Sequence, residues 1–291
     1  MEDFGAFVGK AWADHAEQPA EVAARLAAAL PEIRDPARIV PYVRLVGHVH
    51  GEHLGRWDEG VALLETLREQ AIAAEPTAVA AIETAIGALH FCADANAPLG
   101  HLPPAQRAAA LASAAAMLTG RNDLDRAIAA LDDAHRVAPA DLAPGAPATR
   151  AFAIAGNNLA AALEEKRDRS AAETAAMIAA AKTGLRYWRI AGTWLEEERA
   201  HYQLARSLVA AGRAADAAKA AQDCLDVCRA NAAPPFEAFF GHAVLALARR
   251  AQGETTAYEA ARAAALAAYA QVPPDERSWC AADLAALNAK P

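Results

Sequence analysis

The stretch AHYQLARSLVAAGRAADAAKAAQDCLDVC, residues 200–228, contains the pattern on which the fold prediction depends. Apolar residues recur three or four positions apart on both sides of Gly212, which is the spacing of one face of an α-helix. Glycine often follows the last residue of a helix because it adopts left-handed backbone angles without strain. The stretch therefore predicts two helices joined by a short turn at Gly212.

The rest of the chain shows the same alternation of helical segments and short breaks. Of its 291 residues, 86 are alanine, the strongest helix former, whereas the β-branched and aromatic residues that favour strands are sparse. Breaks with Gly, Pro or capping residues separate fourteen predicted helices, which lie near residues 2–16, 19–30, 36–54, 57–74, 77–94, 104–119, 122–138, 148–166, 170–191, 194–211, 214–230, 235–252, 256–271 and 275–289. The sequence thus predicts an all-α protein.

Two of the predicted helix starts have the spacing of a capping box. Ser170 precedes Glu173 by three positions, and Thr193 precedes Glu196 in the same way. In such a box the hydroxyl accepts from the backbone of the first turn, and the glutamate accepts from the backbone of the capping residue. Both sites are expected to begin a helix.

Small residues, together with a few larger ones, recur at fixed positions where paired helices would approach each other closely. In residues 200–228 these positions hold Leu204, Ala205, Gly212 at the turn, Ala217, Ala221 and Cys224. In residues 122–139 they hold Ala127, Leu131, Ala134 and the closing Pro139. This pattern resembles the tetratricopeptide repeat (TPR) of bacterial proteins. The resemblance implies a TPR-like superhelical solenoid of antiparallel helix hairpins, with capping helices at the N- and C-terminal ends.

The repeats differ from the standard family pattern in their length. The matched alanines Ala127, Ala172, Ala217 and Ala257 are 45, 45 and 40 residues apart, whereas a standard TPR spans about 34 residues. Longer helices or wider turns are therefore expected. Residues 76–103 fit no repeat well, so the pairing of helices there stays open.

We predict one continuous domain over residues 1–291, because each repeat buries its apolar face on the next. Its expected parts are N-terminal cap helices at 1–35, a repeat at 36–75, irregular helices plus a repeat at 76–139, three repeats at 148–271 and a C-terminal cap helix at 274–291. The Pro- and Gly-rich residues 141–149 are the best candidate for a subdomain boundary. They fit a long loop between repeats equally well.

Charge and hydropathy indicate a class of partner and a location. The net charge of −8 and the absence of any run of five basic residues argue against nucleic acid as a partner. The N-terminus carries two acids in place of the basic residues of a secretory signal. We found no segment of about 18 consecutive strongly apolar residues. These features predict a soluble cytoplasmic protein without a membrane partner.

The histidine-rich segment GHVHGEHLGRW, residues 47–57, is the strongest candidate for a metal site. On an α-helix His50 and His53 share a face, whereas His48 pairs with Glu52 and points elsewhere. Two ligands at most would converge, and the HExxH motif of zinc peptidases is absent. We therefore predict no metal, no cofactor and no catalytic residue. A metal-binding or catalytic protein that combines this segment with His90 and Cys92, or with Cys224, remains an alternative.

The four cysteines, Cys92, Cys224, Cys228 and Cys280, lie in helical patterns and lack CxxC spacing. Free cysteine is among the most frequently buried residue types. We expect all four to be core residues, although the shared helix face of Cys224 and Cys228 would also permit a soft metal or a redox pair.

Polar residues on the first helices of the hairpins are the candidates for binding. Asn157 precedes a small-residue pair, as binding asparagines do in TPR proteins, and Arg199, Tyr202 and Arg206 share one face of the next first helix. A guanidinium matches a carboxylate, and tyrosine gives contact area at low entropic cost. These residues predict binding of a protein or peptide. Ordinary ion pairs with nearby acids such as Glu196 or Glu198 would explain the arginines equally well.

The predicted function is that of a non-enzymatic protein- or peptide-binding module, which acts as a scaffold, a chaperone-like protein or a regulator through the concave face of the solenoid. A sensor that binds a small molecule or signal peptide and acts through a partner protein is the first alternative. The sequence identifies neither the partner nor the oligomeric state.

Overall fold

A computed structural model of the chain describes residues 3–289, and within this range it contains fourteen α-helices and no β-strand. The helices are α1 (Phe4–Asp14), α2 (Pro19–Ala29), α3 (Ile39–Val46), α4 (Trp57–Arg68), α5 (Pro76–Ala93), α6 (Pro104–Gly120), α7 (Leu124–Val137), α8 (Pro147–Glu165), α9 (Ala171–Ala191), α10 (Trp194–Ala210), α11 (Ala214–Ala230), α12 (Pro235–Ala251), α13 (Thr255–Tyr269) and α14 (Ala281–Asn288). The all-α prediction is confirmed. Residue 2, where the first helix was predicted to begin, lies outside the described residues.

Local sequence signals set most of the helix ends. Both predicted capping boxes are formed, since Ser170 and Glu173 begin α9 and Thr193 and Glu196 begin α10. Gly212 ends the turn after α10 with a φ of +71°, in the left-handed region that glycine adopts most readily. These ends were predictable because a cap depends on residues only a few positions apart.

The predicted helix at 36–54 is not a single α-helix. After a 3₁₀ turn at Pro36–Arg38 and helix α3, Gly47–Leu54 forms a π-helical segment, which ends at Gly55 with a φ of +63°. A Cβ atom at Gly51 would lie 2.5 Å from Sδ of Met117 on α6, so the glycine is needed for this close contact. The segment thus packs on α6 with a backbone in which hydrogen bonds span five residues instead of four.

The chain divides into two compact units, residues 1–158 and 159–291. The division falls inside α8 and not in the Pro- and Gly-rich residues 141–149. In the first unit α4, α5, α6 and α7 each pack on the next helix, and the π-helical segment contacts α2, α3, α4 and α6. The fully buried Tyr42 on α3 donates a 2.8 Å hydrogen bond to the carbonyl of Leu26 on α2.

In the second unit, successive helices pack on one another. Helices α9 to α13 each pack on the next one, and α12 also packs on α10 and α14. The seam between α10, α11 and α12 is built mainly from small residues, which allow close approach: Ala205, Ala217, Ala218, Ala220, Ala221 and Ala248 join Leu208 and Val244 in one buried cluster. Small side chains therefore lie where the sequence predicted close helix contact.

Helix α5 is the one described helix that is long and apolar enough to cross a membrane. Its most apolar window has a mean hydropathy of 1.3, and 44% of that window is buried inside the protein. A core helix of a globular protein has the same length and composition. The helix therefore assigns no location to the chain.

Overpacking of the α10–α11 seam is expected to destabilise the second unit. Ala217 is 0% exposed, so Ala217→Leu should lower the free energy of unfolding by about 1–3 kcal/mol, because the added methyl groups have no space. Ala215→Leu is the matched control, since Ala215 lies on the same helix and is exposed. Urea denaturation of both variants measures the difference, and equal midpoints would contradict the assigned seam.

Candidate functional site

Arg199, Tyr202 and Arg206 lie on one face of α10, as their spacing predicts, and each contacts a carboxylate of the chain itself. The Arg199 guanidinium donates to Glu237 on α12 at 2.5 Å. The Tyr202 hydroxyl donates to Oδ1 of Asp283 on α14 at 2.7 Å. The side chains that the sequence assigned to a partner thus have intramolecular partners.

Arg206 contacts two carboxylates, those of Glu164 and Asp283. Its Nε donates to Glu164 at 2.7 Å, and its Nη1 donates to the Tyr202 hydroxyl at 3.0 Å. The same Nη1 lies 3.7 Å from Oδ2 of Asp283, which is 5% exposed. Burial alone would lower the pKa of Arg206, but the Tyr202 hydroxyl, Glu164 and Asp283 offset it and raise this pKa. The guanidinium therefore keeps its charge although its side chain is partly buried.

Asn157, the fourth predicted binding residue, belongs to the first unit. It lies on α8, and its Oδ1 atom is buried without a hydrogen-bond partner among residues 3–289. A buried amide oxygen without a partner is unfavourable by about 1–3 kcal/mol. The binding role of Asn157 and of the three α10 residues stays a prediction.

A second polar cluster lies between α10 and α11, and the sequence indicated only its two cysteines. Glu198, which the sequence suggested only as an ion-pair partner for the arginines, is 1% exposed and accepts a hydrogen bond from Sγ of Cys224 at 3.0 Å. Burial raises the pKa of Glu198 to about 9. Hydrogen bonding to Cys228 and burial likewise raise the pKa of Cys224. Because of its raised pKa, the Glu198 carboxyl group is protonated at neutral pH.

All four cysteines are buried and free, as predicted. Cys224 and Cys228 each place Sγ within 4.8 Å of the other and of a Glu198 oxygen. The second carboxyl oxygen of Glu198 is buried and has no hydrogen-bond partner within the described part of the chain. The signal in the sequence was the four-residue spacing of the two cysteines, but no local pattern indicated the glutamate.

The first unit contains a cluster of three histidines, His15, His48 and His53. Each offers a ring nitrogen, and these nitrogens lie within 4.8 Å of one another. The Nε2 atoms of His48 and His53 are 3.1 Å apart. His48 Nδ1 lies 2.8 Å from a Glu52 oxygen, and His15 Nδ1 lies 2.6 Å from the Trp12 carbonyl oxygen. All three imidazoles are partly exposed.

The expectation that His48 and His53 point in different directions is wrong. Residues five apart on an α-helix are separated by roughly 140° around the axis, but the hydrogen bonds of a π-helix span five residues and bring such residues onto one face. The paired contact between His48 and Glu52 is confirmed. His50, expected to share a face with His53, is instead buried at 4% exposure.

The other residues considered with this segment do not join the cluster. Cys92 is buried, with Sγ 3.7 Å from the carbonyl oxygen of Ala114, and burial raises its pKa to about 12. His90 is exposed on α5. The third histidine comes from the end of α1, because His15 follows the last residue of that helix. No pattern within residues 47–57 could indicate it.

Comparisons of the chain with protein-family models, curated proteins and solved structures give no significant match. In sequence, the resemblance to TPR proteins therefore rests on residues 122–139 and 200–228.

Proposed function

We propose that this chain is a TPR-like helical solenoid that acts as a non-enzymatic binding module for an acidic helical segment of a partner protein. The observation that carries the proposal is the contact between α10 and α14, in which Tyr202 and Arg206 already hold the carboxylate of Asp283. The consecutive packing of α9 to α13 supports the repeat architecture. The small-residue seam of α10 and α11 supports the assignment of first and second helices.

The chemistry of the α10 surface suits a carboxylate on a helix. A guanidinium presents several donors in a planar fork, and the neighbouring phenol adds a further contact from its hydroxyl or its ring. The Arg206 guanidinium carbon lies 5.6 Å from the centroid of the Tyr202 ring, so the two side chains hold each other in place. Such an ordered pair loses little entropy when it binds a carboxylate.

Helix α14 indicates what kind of segment this surface accepts. It is eight residues long and presents Asp283 to α10, while the neighbouring Leu284 and Leu287 pack in the apolar cluster of α12 and α13. A partner segment with an acidic residue followed by leucines one and four positions later would make the same contacts. In this proposal the partner displaces α14, whose covalent connection gives it a high effective concentration.

A synthetic peptide of residues 277–289, with Cys280→Ser and a fluorescent label, tests the proposal. Asp283→Lys in the full-length protein places a second cation beside Arg206 and should release α14. We expect the peptide to bind this variant at least ten-fold more tightly than it binds the wild-type protein, as measured by fluorescence polarisation. Asp275→Lys is the matched control, because Asp275 is exposed and its replacement should leave peptide affinity unchanged.

Two further measurements separate carboxylate recognition from nonspecific binding. A peptide with Asn in place of Asp283 should bind the Asp283→Lys protein at least ten-fold more weakly than the wild-type peptide. Adding Arg206→Gln to that protein should produce a similar loss. Equal affinities of the wild-type and Asp283→Asn peptides would exclude α10 as the binding surface. The same conclusion would follow if the Asp283→Lys protein kept its helical circular dichroism but bound the peptide no more tightly than the wild-type protein does.

A further inference from the structure

We propose that His15, His48 and His53 form a binding site for one divalent transition-metal ion, with Zn²⁺ as the type ion. The site lies in the first unit and goes beyond the peptide-binding function proposed for α10. Imidazole nitrogens bind Zn²⁺, Cu²⁺ and Ni²⁺ in preference to Mg²⁺ or Ca²⁺. The proposal reverses the expectation, drawn from α-helical geometry, that this histidine segment binds no metal.

The separations of the ring nitrogens fit a common ligand position. Two Zn–N bonds of about 2.0–2.1 Å at a tetrahedral angle place their nitrogens about 3.4 Å apart. The Nε2 atoms of His48 and His53 are 3.1 Å apart, and the His15 nitrogen lies within 4.8 Å of both. A movement of His15 by no more than about 1–2 Å, within the range of a side-chain rotation, completes the triangle.

The hydrogen bonds on the outer side of the rings set the ligand atoms. His48 Nδ1 donates to Glu52 and His15 Nδ1 donates to the Trp12 carbonyl, so Nε2 is the unprotonated nitrogen of each ring and its lone pair can bind a metal. Histidine ligands of metals almost always have such a partner on the second nitrogen, which fixes the ring and increases its basicity. Glu52 also brings a negative charge close to the proposed cation.

His53 completes the ligand set through a change of tautomer. Without metal, its Nε2–H donates to the lone pair of His48 Nε2. When the ion binds, the His53 proton moves to Nδ1 by exchange with water, and Nε2 becomes the ligand atom. The imidazole stays neutral in both states, so this step consumes and releases no net proton.

The π-helical segment is the structural device that brings two of these ligands together. Short π-helical insertions are rare and occur frequently at functional sites. Here the segment places His48 and His53 side by side. Its C-terminal end is held by Gly55 and by a 2.7 Å hydrogen bond from Arg121 to the His53 carbonyl. The Trp12 ring lies 5.0 Å from the His48 ring and shields one side of the cluster.

Three protein ligands and partial exposure leave a fourth position for water or for a donor from another molecule. Closed structural zinc sites use four protein ligands, whereas three ligands with an open position are typical of sites where the metal contacts a small molecule. The class of ligand for the fourth position is an oxygen or nitrogen donor.

The test uses the full-length protein after treatment with EDTA and dialysis. Isothermal titration with Zn²⁺ should saturate at one ion per chain, and Co²⁺ should give the visible d–d absorption of a tetrahedral site. His15→Ala and His53→Ala should each weaken Zn²⁺ binding at least 100-fold, and Glu52→Gln should weaken it about 10–100-fold. His90→Ala is the matched control and should bind Zn²⁺ like the wild-type protein, because His90 is exposed and distant from the cluster in sequence.

The outcomes distinguish this site from the cysteine cluster and from a folding defect. His15 lies outside the π-helical segment, so His15→Ala tests the ligand set even if substitutions at His53 disturb the local fold. Unchanged Zn²⁺ affinity in His15→Ala would overturn the proposal. Loss of Zn²⁺ binding in Cys224→Ser, with full Zn²⁺ binding in His53→Ala, would assign the ion to the cysteine cluster. That result would also overturn the proposal. Peptide binding by α10 is expected to be the same in His15→Ala and wild type, so the two proposals fail independently.

Discussion

Replacement of Arg206 with alanine is expected to lower the free energy of unfolding by about 2–3 kcal/mol, measured by urea denaturation. The change leaves Asp283, which is 5% exposed, and Glu164 without their shared cation. Removal of one member of a fully buried ion pair destabilises proteins by about 3–5 kcal/mol. The expected effect is smaller here because the Arg206 side chain is 36% exposed and water screens part of the interaction.

Arg213→Ala is the control for the loss of an arginine ion pair. Arg213 pairs with Asp216 three residues away on the surface, and about half of each side chain is exposed, so its replacement should change stability by under about 1 kcal/mol. Adding Asp283→Asn to Arg206→Ala should recover part of the loss, because the uncompensated charge is removed. Equal stabilities of Arg206→Ala and Arg213→Ala would show that the α10–α14 contact contributes little.

Replacement of Glu198 with glutamine is expected to change how stability depends on pH. The folded pKa of Glu198 is raised by burial from 4.5 to about 9, so between these values the folded chain holds a proton that the unfolded chain has released. The preference of folded Glu198 for its proton therefore contributes its full stabilisation below pH 4.5. This stabilisation decreases as the pH rises and is lost once the pH passes about 9. One such proton changes the unfolding free energy by about 1.4 kcal/mol per pH unit.

The glutamine variant lacks this titration. Relative to wild type, Glu198→Gln should gain up to about 2–3 kcal/mol of stability between pH 6 and pH 8. Glu197→Gln is the control, since Glu197 pairs with Arg189 at the surface, and its curve should run parallel to that of wild type. Urea denaturation at several pH values, with EDTA present, gives both curves. A Glu198→Gln curve parallel to wild type would mean that Glu198 is charged in the folded protein.

The local features of this chain could be predicted from sequence because they depend on residues that are close together along it. Helix positions, the capping boxes at Ser170 and Thr193, and the turn at Gly212 all follow from backbone hydrogen bonds within one or two turns. Burial of small residues such as Ala205 and Ala217 follows from helical periodicity. The shared face of Arg199, Tyr202 and Arg206 follows from their spacing.

What these residues contact was decided by the tertiary structure alone. Tyr202 meets Asp283 across 81 positions of the chain, and helical periodicity contains no information about which distant helix covers a face. The histidine cluster depends on two contacts between residues far apart in the sequence. His15 comes from another helix, and the π-helical backbone at Gly47–Leu54 forms where Gly51 lies against Met117 of α6. A propensity scale describes a residue and its neighbours in sequence, whereas the backbone geometry and the charge state of buried groups depend on which distant atoms exclude water from them.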